Sequence, residues 1–213
     1  MEQDLTRGPI LKGLVKMALP IMGTSFIQMA YNLTDMIWIG FLGSNAVAAV
    51  GIAGFFRWLS QAFIFLGKTG TEIRVAQATG AGKNDVAQKV ARNGLLISSV
   101  VAVIYSSAIL LLRRPLIGFF NTNNAVVEDM AIAYLIIVVS GLIFNFLNQV
   151  LTGVFNGRGN SKLPFQINAV GLVINMVLDP VLINGMGPFP VMGVKGAAIA
   201  TVFAQAVVLS IFV

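Results

Sequence analysis

The chain of 213 residues is 57% hydrophobic and only 10% charged, with a mean hydropathy of +0.86. Soluble domains are nearer half apolar and a quarter charged, so an ordinary soluble fold is excluded and a polytopic membrane protein is expected. There is no cysteine and no histidine, which removes disulfides, thiolate chemistry, imidazole bases and the commonest transition-metal ligands. The net charge of +6 reads as a signal of membrane orientation, with no nucleic-acid partner implied.

An apolar run of about 20 residues crosses a bilayer as a helix. On that criterion the sequence predicts an all-α membrane protein of six spans, at residues 14–39, 46–66, 94–112, 130–154, 164–183 and 194–213. The first run is too long for a signal-peptide core and no small-x-small cleavage site follows it, so it is expected to stay as a span. Residues 40–45 and 184–193 are uncharged, turn-forming links between antiparallel helices. Residues 67–93 read as a basic loop, with a short surface helix over 85–92 that Asn84 would cap. In that loop Lys68 and Glu72 are four apart and Arg74 follows, a solvated interfacial face. Gly153, Gly157 and Gly159 read as the stop of the fourth span and the turn over 156–162.

Ten of the 14 Lys and Arg residues, Arg7, Lys12 and Lys16 among them, fall in segments that are inside if the N-terminus is inside. Arg113, Arg114 and Lys195 fall outside, and Arg57 lies within the second span. This bias predicts a cytoplasmic N-terminus in a cell (inner, plasma) membrane.

Asp35 and Asp179 each lie fifteen residues after a Leu-Pro pair, Leu19-Pro20 and Leu163-Pro164. A carboxylate at bilayer depth costs about 2.5–3.5 kcal/mol on insertion scales, so two in matching positions suggest an ion or proton site. The match also makes spans one and five a weak internal repeat. Spans two and six extend it, opening on Ala46-Val47-Ala48-Ala49 and Gly196-Ala197-Ala198-Ile199-Ala200, small residues that let helices approach closely. Asn175 is four residues before Asp179, and Asn32 three before Asp35 with Tyr31 one turn away, so each carboxylate has an amide on its own helix face. Carboxylate and amide oxygens suit Na⁺ or a proton. The competing reading is that such Asn–Asp pairs only hold helices together by hydrogen bonds. Pro180 has no N–H, which frees the Met176 carbonyl beside Asp179. Arg57, in the second span, either faces a water-filled cleft, pairs with a carboxylate, or sits nearer an interface than the span limits suggest.

These stretches together resemble the MATE family of multidrug and toxic-compound exporters. The resemblance runs through Ala18-Leu19-Pro20, Tyr31-Asn32-Leu33-Thr34-Asp35, Leu42-Gly43 to Ala49-Val50-Gly51, and Gly80-Ala81-Gly82. It continues in Asn156-Gly157-Arg158-Gly159-Asn160, Asn175 to Pro180, and Gly193 to Thr201. It implies efflux of an organic cation or amphiphilic drug against entry of H⁺ or Na⁺. It also implies a cation site of Asp35, Asn175, Asp179 and Thr201, with Tyr31 and Asn148 as further polar residues and Asn32 and Arg57 nearby.

Family members have twelve helices in two lobes. This chain therefore resembles an amino-terminal six-helix lobe, residues 1–213 forming one unit, with a carboxy-terminal lobe or a second copy as expected partner besides the bilayer and the drug. Arg57 and Lys68 depart from the family's charge pattern. No cofactor beyond the coupling ion, and no enzyme activity, is expected. Two other readings are a flippase for lipid-linked oligosaccharides, which Arg57 would suit, and an intramembrane aspartyl protease. Against the protease, Tyr31 is four residues from Asp35, and Val177-Leu178 stand before Asp179 in place of a glycine pattern.

Overall fold

The computed structural model describes residues 10–213 and contains, within them, eight α-helices and no strand. They are α1 Ile10–Phe41, α2 Ser44–Gly80, α3 Asn84–Leu111, α4 Arg113–Gly118, α5 Ala125–Ser140, α6 Leu142–Gly157, α7 Lys162–Asn184 and α8 Val194–Phe212. The orientation residue Arg7 lies outside the described residues, as does the side chain of Lys12. Five helices are long and apolar enough to cross a membrane, and α5 with α6 makes a sixth span bent by 44°. The bend falls at Gly141, where a Cβ would meet Val202 of α8 at 2.5 Å. Helix α5 is started by Asn124, whose side chain accepts hydrogen bonds from the Val126 and Val127 N–H groups at 3.0 and 3.4 Å.

Three expectations are corrected. The basic segment 67–93 is not a loop: α2 runs on to Gly80, a three-residue link follows, and α3 begins at Asn84. The reason is that burial at helical spacing continues past the charges, through Ile64, Thr71, Val75 and Ala78. Residues 85–92 are accordingly the first turns of α3. Its N-cap position is Lys83, with no side-chain cap bond. The second correction concerns Lys68 and Glu72. Both are half-buried against α6, and the Lys68 ammonium donates to Gln149 Oε1 at 3.1 Å. Third, Gly153 and Gly157 are inside α6 and do not stop it. A Cβ at Gly153 would lie 2.9 Å from the Lys68 carbonyl oxygen, and one at Gly157 would lie 2.6 Å from that of Glu72. These glycines let the α6 and α2 backbones touch, as small residues do in lipid. Only Gly159, with φ of 78°, makes the turn.

The helices form two groups. Helix α2 packs on α3, α5 and α6, while α7 packs on α1 and α8, and α8 joins the groups by lying against α5 and α6. Of the small residues expected to permit close approach, Ala46 and Ala49 in α2 and Gly196, Ala197, Ala198 and Ala200 in α8 are buried, while Ala48 is exposed. At Gly196 a Cβ would lie 2.5 Å from the Leu182 carbonyl oxygen, fixing the α7–α8 crossing.

Helices α1 and α7 are parallel. Ser161 Oγ donates to the Met17 carbonyl at 3.1 Å, Gly23 faces the Phe165 ring, Gly171 faces the Tyr31 hydroxyl, and Asn175 reaches Asp35. Each step along α1 meets a later residue of α7. Parallel neighbours require an odd number of crossings between them, met by α2, α3 and the bent α5–α6 pair. The outer side of α1 carries Leu19, Met22, Phe26, Met29 and Leu33, all exposed. An apolar stripe of this size suits lipid or a second protein surface.

Because the chain has no native cysteine, the parallel register is open to cross-linking. A Gly23→Cys/Phe165→Cys pair is expected to form a disulfide on mild oxidation, and a Gly23→Cys/Asn184→Cys pair is not, as read by mass spectrometry of the digest. The helix crossing has its own test. Gly157→Ala is expected to destabilise by about 1–3 kcal/mol through overpacking, whereas Gly51→Ala, with nothing within 4 Å of the added methyl, is not. Matching melting temperatures for the two variants in detergent would show that α2 and α6 part without cost.

Candidate functional site

Two runs of local sequence set up the site. In α1 the Tyr31–Asp35 turn places Asp35 on the side facing α7. In α7 the i, i+4 spacing places Asn175 and Asp179 on the side facing α1. Helix α8 closes the third side with Thr201, one turn after Ala197. All four side chains are buried: Asp35 is 5% exposed, Thr201 3%, and Asn175 and Asp179 not at all.

Asn175 is the central member. Its Nδ2 donates to Asp179 Oδ1 at 3.0 Å and to Asp35 Oδ1 at 3.4 Å. The two carboxyl groups therefore share one amide donor. Thr201 Oγ1 is 3.2 Å from Asp35 Oδ2 and 3.0 Å from the Ala197 carbonyl. A hydroxyl has one proton, so it serves one of these acceptors at a time. Asn175 Oδ1 and Asp179 Oδ2 are buried and have no protein partner. Buried polar atoms are nearly always paired, so two unpaired oxygens in one cluster invite a cation or a water. Pro180 lies within α7 directly after Asp179 and withholds the N–H that Met176 O would accept.

The cluster adjoins a cavity of about 550 Å³ lined by residues of α1, α2, α5, α6, α7 and α8. Asp35 and Thr201 line it, while Asn175 and Asp179 sit behind them. Tyr31, Asn32, Arg57 and Asn148 also line it, so the eight candidate site residues all lie in the cluster or on the cavity wall. Asn32 behaves differently from the expectation of an amide partner for Asp35. Its Oδ1 accepts from Arg57 Nη2 at 2.6 Å, and the amide that serves Asp35 comes from α7. Arg57 is half-buried and on the cavity wall, as the cleft reading expects. Asn148 Nδ2 donates to the Gln205 carbonyl at 2.8 Å and leaves its Oδ1 buried and unpaired.

Sequence reasoning missed Gln28, Gln61, Tyr134, Asn145, Gln149, Asn168 and Gln205, which add to the polar lining. The signal was available. Arg57 and Gln61 are four apart, as are Gln28 and Asn32, and Asn145 precedes Asn148 and Gln149 by one turn. Amides recurring at helical spacing within apolar spans mark one wet face.

The profile of the MatE family matches residues 20–181. A probable multidrug resistance protein NorM of Thermotoga maritima is 30% identical over 92% of this chain and 42% of its own length. An FAD transporter of Shewanella oneidensis is 26% identical over 97% of this chain and 46% of its own. An outward-facing multidrug resistance MATE family transporter of the MOP superfamily superposes with a TM-score of 0.88 at 29% identity, covering 98% of this chain and 45% of that one. The chain thus spans about half the length of the curated relatives it matches, and its fold is one lobe of such a transporter. With most of its residues inside the family profile and this lobe reproduced nearly end to end, the chain belongs to the MatE family of membrane transporters.

Proposed function

We propose that this chain is the amino-terminal lobe of an exporter that releases an amphiphilic drug as H⁺ or Na⁺ enters, and that Asp35, Asn175, Asp179 and Thr201 bind the entering ion. The carrying observation is that two buried carboxyl groups share one amide donor beside a polar-lined cavity. Two negative charges buried on one amide are costly, so the arrangement favours a proton on one carboxyl group or a cation beside the pair. Asn175 Oδ1 and Asp179 Oδ2, without protein partners, are the free ligands for that cation.

The cycle follows from charge. With the site empty of cation, Asp35 presents negative charge to the cavity and draws the positive part of a substrate. Entry of the ion neutralises the pair, and Thr201 turns its proton between Asp35 and Ala197 as the ligand set changes. Loss of that attraction releases the substrate. The helices then repack, with Pro20 in α1 as the weak point in the hydrogen-bond ladder. The membrane potential supplies about 2.3 kcal/mol per charge per 100 mV. The N-terminus is cytoplasmic in this reading, supported by the Lys and Arg bias. A second lobe, from a further half or another copy, closes the other side of the substrate path. No group beyond the coupling ion takes part. Printed descriptions of relatives range from multidrug resistance to FAD transport, so the substrate depends on the cavity wall more than on the fold.

Two outcomes are expected. Asp35→Asn and Asp179→Asn each abolish gradient-driven dye efflux from cells expressing the complete protein, with a Na⁺ jump and a pH jump applied separately to identify the ion; undiminished efflux by both variants would end the reading. Asn175→Leu removes the bridge between the carboxyl groups and is expected to lower stability by about 1–3 kcal/mol. It is read as a fall in thermal midpoint that added Na⁺ or acid no longer offsets.

A further inference from the structure

Arg113 and Arg114 take no part in the site described above, and they run against the Lys and Arg bias of the other segments. They open α4, the six-residue helix between α3 and α5. With Glu128, Asp129, Ile132 and Ile136 they line a second cavity of about 470 Å³, which shares no lining residue with the first. Its wall carries two guanidinium groups and two carboxylates, so its charge is balanced. The half-buried members are partly engaged: Arg113 Nη1 donates to the Leu110 carbonyl at 2.6 Å, and Glu128 Oε1 accepts from Thr122 Oγ1 at 3.1 Å. Arg114 and Asp129 are exposed. Glu128, Ile132 and Ile136 are four residues apart and share one face of α5. Along that face the wall passes from charged to apolar over about 12 Å, starting in the first turn of the helix. Leu111 and Phe119, on either side of α4, are 80% and 81% exposed. Large apolar side chains left bare at the end of a membrane span have hydrocarbon for a neighbour.

We infer that this second cavity binds one phosphatidylethanolamine molecule from the bilayer. Its phosphate docks on Arg114 and Arg113, its primary ammonium on Asp129 and Glu128, and an acyl chain lies along Ile132 and Ile136. The order of groups along the wall is the order along that lipid, charged head first and hydrocarbon after. The arginine fork matches phosphate oxygens in two-point fashion, and an ammonium brings three donors for the acidic pair. Phosphatidylglycerol offers the phosphate but no cation, and sets a further negative charge beside Asp129 and Glu128. Phosphatidylcholine has the cation but no N–H to donate. A soluble phosphate ester lacks the chain that the two isoleucines would cover.

Native mass spectrometry of the delipidated full chain, with one lipid added back at a time, tests this. Phosphatidylethanolamine is expected to bind about tenfold more tightly than phosphatidylglycerol or phosphatidylcholine of the same chains, about 1.4 kcal/mol. Glycerophosphoethanolamine, the same head without chains, is expected not to displace it. Arg114→Gln is expected to weaken phosphatidylethanolamine about tenfold. Asp129→Asn is expected to weaken it while sparing phosphatidylglycerol, which removes the preference. Lys195→Gln, at an exposed cation outside this cavity, is expected to change nothing. Equal binding of the three lipids, full displacement by the soluble head, or the same loss in Lys195→Gln as in Arg114→Gln would each overturn the inference. So would unchanged binding in both Arg114→Gln and Asp129→Asn. The comparison of lipids on the unaltered chain needs no variant to fold. It involves neither transport nor Asp35, so its failure and that of the efflux test are separate.

Discussion

One amide holds the centre of this lobe. Asn175 donates to carboxyl oxygens on two helices and so ties Asp35 of α1 to Asp179 of α7. Burying a charge without compensation is costly, so the contact between α1 and α7 near their later turns is conditional on how that charge is balanced. Elsewhere the helices meet mostly through glycine, alanine and aliphatic contacts, with Lys68–Gln149 and Arg57–Asn32 as charged links to neutral amides. Among the described residues, the Asp35–Asn175–Asp179 contact is the one joint that gathers two carboxyl groups.

The position of that joint matters because α1 has few other ties. It packs chiefly on α7, lightly on α2, and its remaining side is exposed. Both α1 and α2 line the cavity. A change of charge at Asp35 therefore reaches both the helix with most freedom and the space where a solute would sit. In α2, by contrast, contacts with α3, α5 and α6 fix Arg57 on a rigid wall. One wall of the cavity is anchored by packing and the other is held by the Asp35–Asn175 contact.

Most of the site was legible in the sequence because charge in an apolar run is so costly that its presence is informative. Asp35 and Asp179 stood out for that reason, and the i, i+4 relation placed Asn175 beside one of them. Thr201 did not stand out by itself, since a hydroxyl in a span is common and cheap; it came from family resemblance. The partner of Asp35 was misjudged because spacing along one helix is visible in a sequence and packing between helices is not. Asn32 had the right spacing and was taken by Arg57 instead. The length of α2 was missed for a related reason. Lys68, Glu72 and Arg74 resemble a loop by hydropathy, but Thr71, Val75 and Ala78 keep a buried stripe running beneath them. Gly153 and Gly157 looked like a helix stop because a missing side chain reads as weakness until the neighbouring backbone that needs the space is seen.

The side-by-side alignment of α1 and α7 limits how such a protein can change through evolution. Asp35 and Asp179 meet only while both helices point the same way through the bilayer. Gaining or losing a single membrane crossing anywhere between residues 41 and 162 would invert one of them and carry its carboxyl group to the opposite leaflet. Viable descendants must therefore alter that stretch by pairs of crossings, or by none.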